Sequence, residues 1–229
     1  MKQKNLWQES SKENISFEPL KDSVVSDLAI IGGGYTGCSA ALATAKKGLS
    51  VALIDQKIGY GGSGRNVGLV NAGLWLHPKK VEKILGLEAG VKLNNALANA
   101  PDLVFGLINE NEINCSANRS GTLHCAHSQK GLVDIELRFK QLSERGAELE
   151  LLDRNETQQR TGSSSFFSSL LNKKAGTINP LDYCQGLARV AHSQGASIYE
   201  STLATKIESG NNHWMVKTSQ GSIKRSEEH

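Results

Sequence analysis

The chain has 229 residues, enough for one large domain or two small ones around a real core. Its 38% hydrophobic and 21% charged content is that of an ordinary soluble protein, and no apolar run approaches the roughly 18 residues that span a bilayer. A formal net charge of +3, carried by scattered lysines and arginines, excludes the basic stripe of a nucleic-acid binder.

The basic start Met1–Lys4 leads into Asn5–Ser10 with no apolar h-region, so no secretory leader is read and a cytoplasmic location is expected. Residues 1–26 are polar and read as an arm. Asp27–Ile31 is then a short apolar strand that opens into Gly32-Gly33-Gly34-Tyr35-Thr36-Gly37, and a helix follows to Lys47. A second strand, Ser50–Ile54, ends on Asp55. This order suits an adenine dinucleotide. Gly32 permits the tight turn, Gly34 lets the backbone approach a pyrophosphate, and Gly37 lets the helix pack close to the sheet. The helix start offers unpaired N–H groups to an anion, and Asp55 stands where a carboxylate accepts hydrogen bonds from a ribose. The plain alternative is a strand–turn–helix that binds nothing.

Gly59–Gly68 follows as a glycine-rich loop without helix or strand periodicity. Its place just after Asp55 favours backbone pressed against a ligand over a mobile surface loop, with Arg65 and Asn66 adding charge and hydrogen bonds. Pro78 starts a short helix that Gly86 ends. Leu93, Leu97, Ala100, Val104, Leu107 and Ile108 form the core stripe of a longer helix kinked at Pro101. Further on, 119–126 reads as a strand, a helix carries Leu132, Ile135, Phe139 and Leu142 inward, and 150–152 reads as a strand. Asp153 or Asn155 then caps a short helix. Strand-like pieces at 166–171 and 176–178 precede Asn179-Pro180, a cap residue followed by proline at the first helical position. The helix ends at Gly195. Strands at 198–200, 203–208, 213–218 and 222–225 complete an antiparallel meander, with a turn at 209–212.

The four cysteines, Cys38, Cys115, Cys125 and Cys184, show neither C-x-x-C spacing nor a disulfide framework. Cys38 and Cys184 read as small core residues. Cys115, His124, Cys125 and His127 form no convincing metal set, because adjacent strand residues face opposite sides.

The two glycine motifs, Asp55, Leu6-Trp7, Thr161-Gly162-Ser163 and the run from Ile178 to Glu200 together resemble the D-amino-acid-oxidase-like family of FAD-dependent oxidoreductases. Within it the chain is most similar to bacterial proteins of the gamma-glutamylputrescine oxidase type. The resemblance runs from about residue 6 to the end. It implies an α/β fold: an FAD-binding, Rossmann-like parallel sheet with an interleaved α+β substrate domain, incomplete at the C-terminus. The implied layout is an arm over 1–26, FAD-binding segments over 27–110 and 179–229, and a partial substrate domain over 111–178.

By the same resemblance FAD is the cofactor. Gly32, Gly34, Tyr35, Thr36 and Gly37 approach its pyrophosphate, while Asp55, with Gln56 and Lys57 beside it, holds the ribose. Ser63, Gly64, Arg65 and Asn66 line the pyrophosphate and ribityl chain, and the backbone of Ala204 meets the adenine. The implied reaction passes a hydride from an amine or amino acid to the flavin, which needs no Ser/His/Asp triad. The substrate is a small molecule, with neither nucleic acid nor membrane as partner, and the oligomeric state is not encoded. No catalytic base is nominated. His77 is the nearest titratable residue but reads as a surface histidine before Pro78, and Trp75 as core or a pocket wall. Relatives continue well beyond the meander, so the chain is expected to be a truncated form or fragment with weak FAD binding. Two alternatives stay open: a non-catalytic fragment with a vestigial nucleotide site, and an NAD-dependent dehydrogenase, which has no need of the Gly59–Gly68 loop.

Overall fold

The structure is a computed structural model that describes residues 5–210 and 213–226. Asn211 and Asn212 of the expected turn lie outside the described residues. In chain order the elements are α1 (Leu6–Glu9), β1 (Ser23–Ser26), β2 (Leu28–Ile31), α2 (Tyr35–Ala45), β3 (Val51–Ile54) and a 3-10 turn at Gly62–Gly64. Then come β4 (Leu69–Val70), α3 (Pro78–Leu85), α4 (Leu87–Glu110), β5 (Thr122–Ala126), α5 (Gln129–Ser143) and β6 (Leu149–Leu152). The rest are α6 (Arg154–Thr161), β7 (Ser168–Asn172), β8 (Gly176–Thr177), α7 (Pro180–Ser193), β9 (Ser197–Tyr199), β10 (Lys206–Ser209), β11 (His213–Lys217) and β12 (Ser222–Ser226).

The local stop and start signals act as their chemistry requires. Gly86 ends α3 with φ +83°, and Asp153 caps α6 in a reciprocal box with Glu156. Asn179 caps α7 by accepting from the N–H groups of Leu181 and Asp182, with Pro180 at the first helical position.

The chain forms two compact units. One comprises Met1–Val67, Asn111–Cys115 and Asn179–His229; the other comprises Gly68–Glu110 and Ser116–Ile178. The boundary therefore falls at Val67/Gly68, whereas the sequence reading kept residues up to 110 with the nucleotide-binding part. The physical reason is packing: α3 lies against α4 and α5, so the helices after the glycine loop share the core of the second unit.

In the first unit β2, β3 and β9 form a parallel sheet in the order β2-β3-β9, with Leu28 opposite Val51 and Leu53 opposite Ile198. All four residues of β3 are buried, as a strand covered on both faces must be. Helix α2 packs along α7 through small side chains, among them the fully buried Cys38, Ala41, Cys184, Ala188 and Ala191. A second sheet runs β1-β12-β11-β10. Two of its features differ from the expectation. The arm contributes β1, which pairs in parallel with β12 across most of the chain, and β9 joins the parallel sheet rather than the meander. Neither pairing is a local property, so neither has a local signal.

The arm is fastened by buried charge. Asp182, fully buried in the first turn of α7, accepts from the Ser11 hydroxyl at 2.6 Å and from the N–H groups of Lys12 and Glu13 at 3.0 and 3.1 Å. Glu13, with its side chain 7% exposed, takes two hydrogen bonds from Arg189, each 2.9 Å, and one from the Asn114 N–H at 3.1 Å. Burial pushes the Glu13 carboxyl up, but the Arg189 hydrogen bond, the Asn114 N–H and the Arg189 charge outweigh it and hold it below its ordinary value. A carboxyl depressed in the folded state adds stability above its unfolded pKa of about 4.3, and that stability is lost as pH falls through the folded value. Urea midpoints taken from pH 7 down to pH 3 should therefore fall more steeply for the wild-type chain than for Glu13→Gln. Parallel curves would refute this assignment.

In the second unit β7 is the central strand of an antiparallel sheet ordered β5-β7-β6, with Cys125 opposite Ser169 and Leu151 opposite Leu170. Helix α5 covers one face, where Ala126, Ile135 and Leu170 form a core flanked by Leu132, Phe139 and Leu149. Strands β4 and β8 form a separate antiparallel pair.

Candidate functional site

The sheet β2-β3-β9 delivers the end of β2 to the start of α2 through Gly32–Gly34. Gly32 lies at φ +108°, a conformation that suits glycine, and its N–H donates to the Ile54 carbonyl at 2.9 Å. A Cβ on Gly37 would fall onto the Gly32 carbonyl oxygen, so the first turn of α2 folds back onto the loop only because position 37 has no side chain. Gly34 is the N-cap and provides no side-chain cap, which leaves the first N–H groups of α2 without the usual internal acceptor. One of them is taken. The Tyr35 N–H donates to the Ser63 Oγ at 3.0 Å.

That bond ties the second glycine-rich loop to the helix start. Asn66 folds the loop on itself: its amide donates to the carbonyls of Ser63 (2.7 Å) and Gly62 (3.3 Å) and to the Tyr35 hydroxyl (3.2 Å). The Tyr35 hydroxyl in turn donates to the Pro180 carbonyl at 3.2 Å, and burial pushes its pKa up to about 12, so the phenol stays protonated at neutral pH. Gly64 is buried, and a Cβ there would strike the Gly59 carbonyl oxygen. Arg65 is exposed. Asp55, half-buried at the end of β3, accepts from the Gly33 N–H at 2.6 Å through one oxygen, while its other oxygen stands 3.4 Å from the Lys57 N–H. The carboxylate therefore braces the glycine turn and retains acceptor capacity.

The structure thus brings Gly32, Gly34, Tyr35, Gly37, Asp55, Ser63, Gly64 and Asn66 into one bonded cluster, with exposed Thr36 in the same helix turn. Gln56 and Lys57 are exposed beside it. The Gln56 carbonyl accepts from the Ser201 N–H, and the Lys57 ammonium sits 4.1 Å over the Tyr60 ring. Ala204 lies in the link between β9 and β10, not in a strand, and packs against the core of Leu20, Ala52, Ile54, Val216 and Ile223.

Sequence reasoning missed Glu200. This buried carboxylate accepts from the Ile58 N–H at 2.9 Å and the Phe17 N–H at 3.1 Å, holding the loop after Asp55 against the arm. Trp7, named in the sequence only as part of the family resemblance, donates its indole N–H to the Asn66 carbonyl at 2.9 Å. An acid at a strand end was the one available signal for Glu200; its partners are remote in sequence. Trp75 is not core: it is 73% exposed and meets the ring of mid-strand His124 edge-on. His77 is the N-cap of α3 and bonds Asp134 at 2.8 Å. Among the described residues no three His, Cys, Asp or Glu residues are grouped as metal ligands, and no helix is long and apolar enough to cross a membrane.

Residues 27–227 match the family model described as FAD dependent oxidoreductase (DAO). A relative from Rhizobium meliloti, named "Probable oxidoreductase OrdL", is 34% identical over 221 residues, covering 95% of this chain and 51% of that protein. Gamma-glutamylputrescine oxidoreductase of Escherichia coli is 29% identical over 216 residues, covering 93% of this chain and 50% of that protein. Among solved structures, glycine oxidase from Geobacillus kaustophilus superimposes with a TM-score of 0.74 at 21% identity, covering 88% of this chain and 54% of that one. The chain spans about half the length of the curated relatives it matches.

Proposed function

Because this chain belongs to the DAO family of FAD dependent oxidoreductases, we propose that its first unit holds the nucleotide end of FAD and its second unit contributes to the substrate side of an amine or amino-acid oxidoreductase. The observation that carries the FAD reading is the Tyr35–Ser63 hydrogen bond, which gathers both glycine-rich segments at one uncapped helix start. A diphosphate fits such a cluster because backbone N–H groups and the helix dipole favour negative charge, and glycines leave room for close approach. A Cβ on Gly34 would stand 2.8 Å from the Ser63 Oγ, so a side chain there would occupy the cradle.

In this reading Gly32, Gly34, Thr36 and Gly37 face the pyrophosphate, Asp55 the adenosine ribose with Gln56 and Lys57 nearby, Ser63–Asn66 the pyrophosphate and ribityl chain, and Ala204 the adenine. Bound FAD would supply the hydride acceptor for oxidation of a substrate C–N bond. The chain's own residues bind and orient; Tyr35, protonated at neutral pH, keeps the two loops in register. A cytosolic compartment belongs to the same reading, and the free thiols of Cys38, Cys125 and Cys184 accord with it. Gamma-glutamylputrescine is the first amine to assay, with simple amino acids next.

The test is titration of the purified protein with FAD and, separately, with NAD. FAD should quench saturably and raise the melting temperature, while NAD should do neither. An unchanged melting temperature and unchanged flavin fluorescence would overturn the proposal. Asp55→Asn keeps an acceptor for the Gly33 N–H but loses the charge, so it should weaken FAD by about tenfold while shifting stability by less than about 1 kcal/mol.

A further inference from the structure

The second unit contains a cavity of about 300 Å³ lined wholly by its own residues. That volume is at the lower end for sites that bury small organic molecules. Leu123, Leu142, Leu149 and Leu170 give it an apolar wall, and Trp75 with His124 adds an aromatic one. Burial, and then the Arg138 charge, hold the His124 imidazole below its ordinary pKa, so this ring is neutral at pH 7. No aspartate or glutamate lines the cavity.

Its charged lining group is a donor. Arg138 on α5 is 8% exposed, and of the five N–H groups of a guanidinium, two are used: one to the Leu74 carbonyl at 3.0 Å and one to the Trp75 carbonyl. Its Nε–H has no partner. Asp134 forms a loose ion pair with the guanidinium through Oδ2 at 3.9 Å, too long for a hydrogen bond, while its Oδ1 bonds His77 at 2.8 Å. The Asn71 side-chain oxygen accepts from Thr122 at 3.0 Å and that of Asn172 from the Lys174 N–H at 3.1 Å, which leaves the NH₂ of each amide as a donor for a ligand. An arginine that merely braced the Leu74–Trp75 backbone would bury an unpaired Nε–H at a cost of about 1–3 kcal/mol. A ligand with acceptor oxygens and an apolar body removes that penalty.

We propose that this cavity binds a small monocarboxylate with a branched aliphatic body, its carboxylate facing Arg138 and the amides of Asn71 and Asn172, its hydrocarbon facing the leucines. The site shares no residue with those assigned to FAD and concerns binding, not turnover.

The probes are 4-methylpentanoate and its neutral amide, compared by calorimetry on the unmodified protein without FAD. The acid should bind saturably, and the amide should bind about tenfold more weakly or worse, because a charge-assisted contact is lost. Arg138→Gln should weaken the acid by about tenfold and the amide far less, closing the gap between them. If Arg138→Gln loses its fold, Ala72→Leu, which narrows the cavity without touching the guanidinium, should weaken both probes together. Equal affinity for acid and amide, or no saturable heat with the acid, overturns the proposal.

Discussion

Gly37→Ala is expected to cost about 2–3 kcal/mol of stability and most of the affinity for FAD. The added methyl would collide with the Gly32 carbonyl oxygen, a backbone atom that cannot swing aside. Gly32 is fixed from both directions: its N–H is bonded to Ile54 in the neighbouring strand, and its φ of +108° is one that other residues rarely adopt. Relief must come from moving the first turn of α2, and that turn carries the Tyr35 N–H and the adjacent unpaired donors. Stability and ligand affinity therefore fall together. Urea unfolding and FAD titration measure the two effects. Gly61→Ala is the control, since nothing lies within 4 Å of where its Cβ would stand; it should stay within about 0.5 kcal/mol of wild type. A Gly37→Ala protein with wild-type stability and FAD affinity would mean that α2 does not need its close approach to the sheet.

Asp182→Ala should destabilise the first unit by about 3 kcal/mol or more and free the arm. The carboxylate is fully buried, and three donors from residues 11–13 converge on it: the Ser11 hydroxyl and the N–H groups of Lys12 and Glu13. Alanine would leave the buried Glu13 N–H without its acceptor, strip the half-buried Ser11 hydroxyl and the Lys12 N–H of theirs, and remove a negative charge from the first turn of α7, where the helix dipole favours one. The Glu13–Arg189 pair is next in line, because Glu13 is held by the same segment. Limited proteolysis should then cut first within 5–22, and the thermal midpoint should fall by several degrees, as expected for a loss of this size. Unchanged cleavage and an unchanged midpoint would show that the arm is fastened elsewhere, for instance through Glu200 and Thr202, which accept from the Phe17 and Leu20 N–H groups.

The same features mark the limit of what the chain order discloses. The Gly32–Gly37 turn, the strand before it and Asp55 after it were legible because each states a backbone requirement at fixed spacing. The cap at Asn179 and the stop at Gly86 were legible for the same reason, and Asp153 stood as one of two candidate caps, which the fold decided. Ser63 and Asn66 were named as ligand-facing residues; the folded chain gives them a second task, holding the loop against Tyr35. Asp55 likewise acquires the Gly33 N–H as a partner, 22 residues away.

By itself the sequence determined the α/β class, the nucleotide-type turn and the family, since local stereochemistry and spacing write these directly into neighbouring residues. Only the tertiary structure decided the pairing of β1 with β12, the boundary at Val67/Gly68, the buried acceptor Asp182 and the donor-rich cavity at Arg138. Each depends on groups far apart in the chain that must satisfy one another's hydrogen bonds and charges once water is excluded, and such a requirement leaves no periodic or short-range trace.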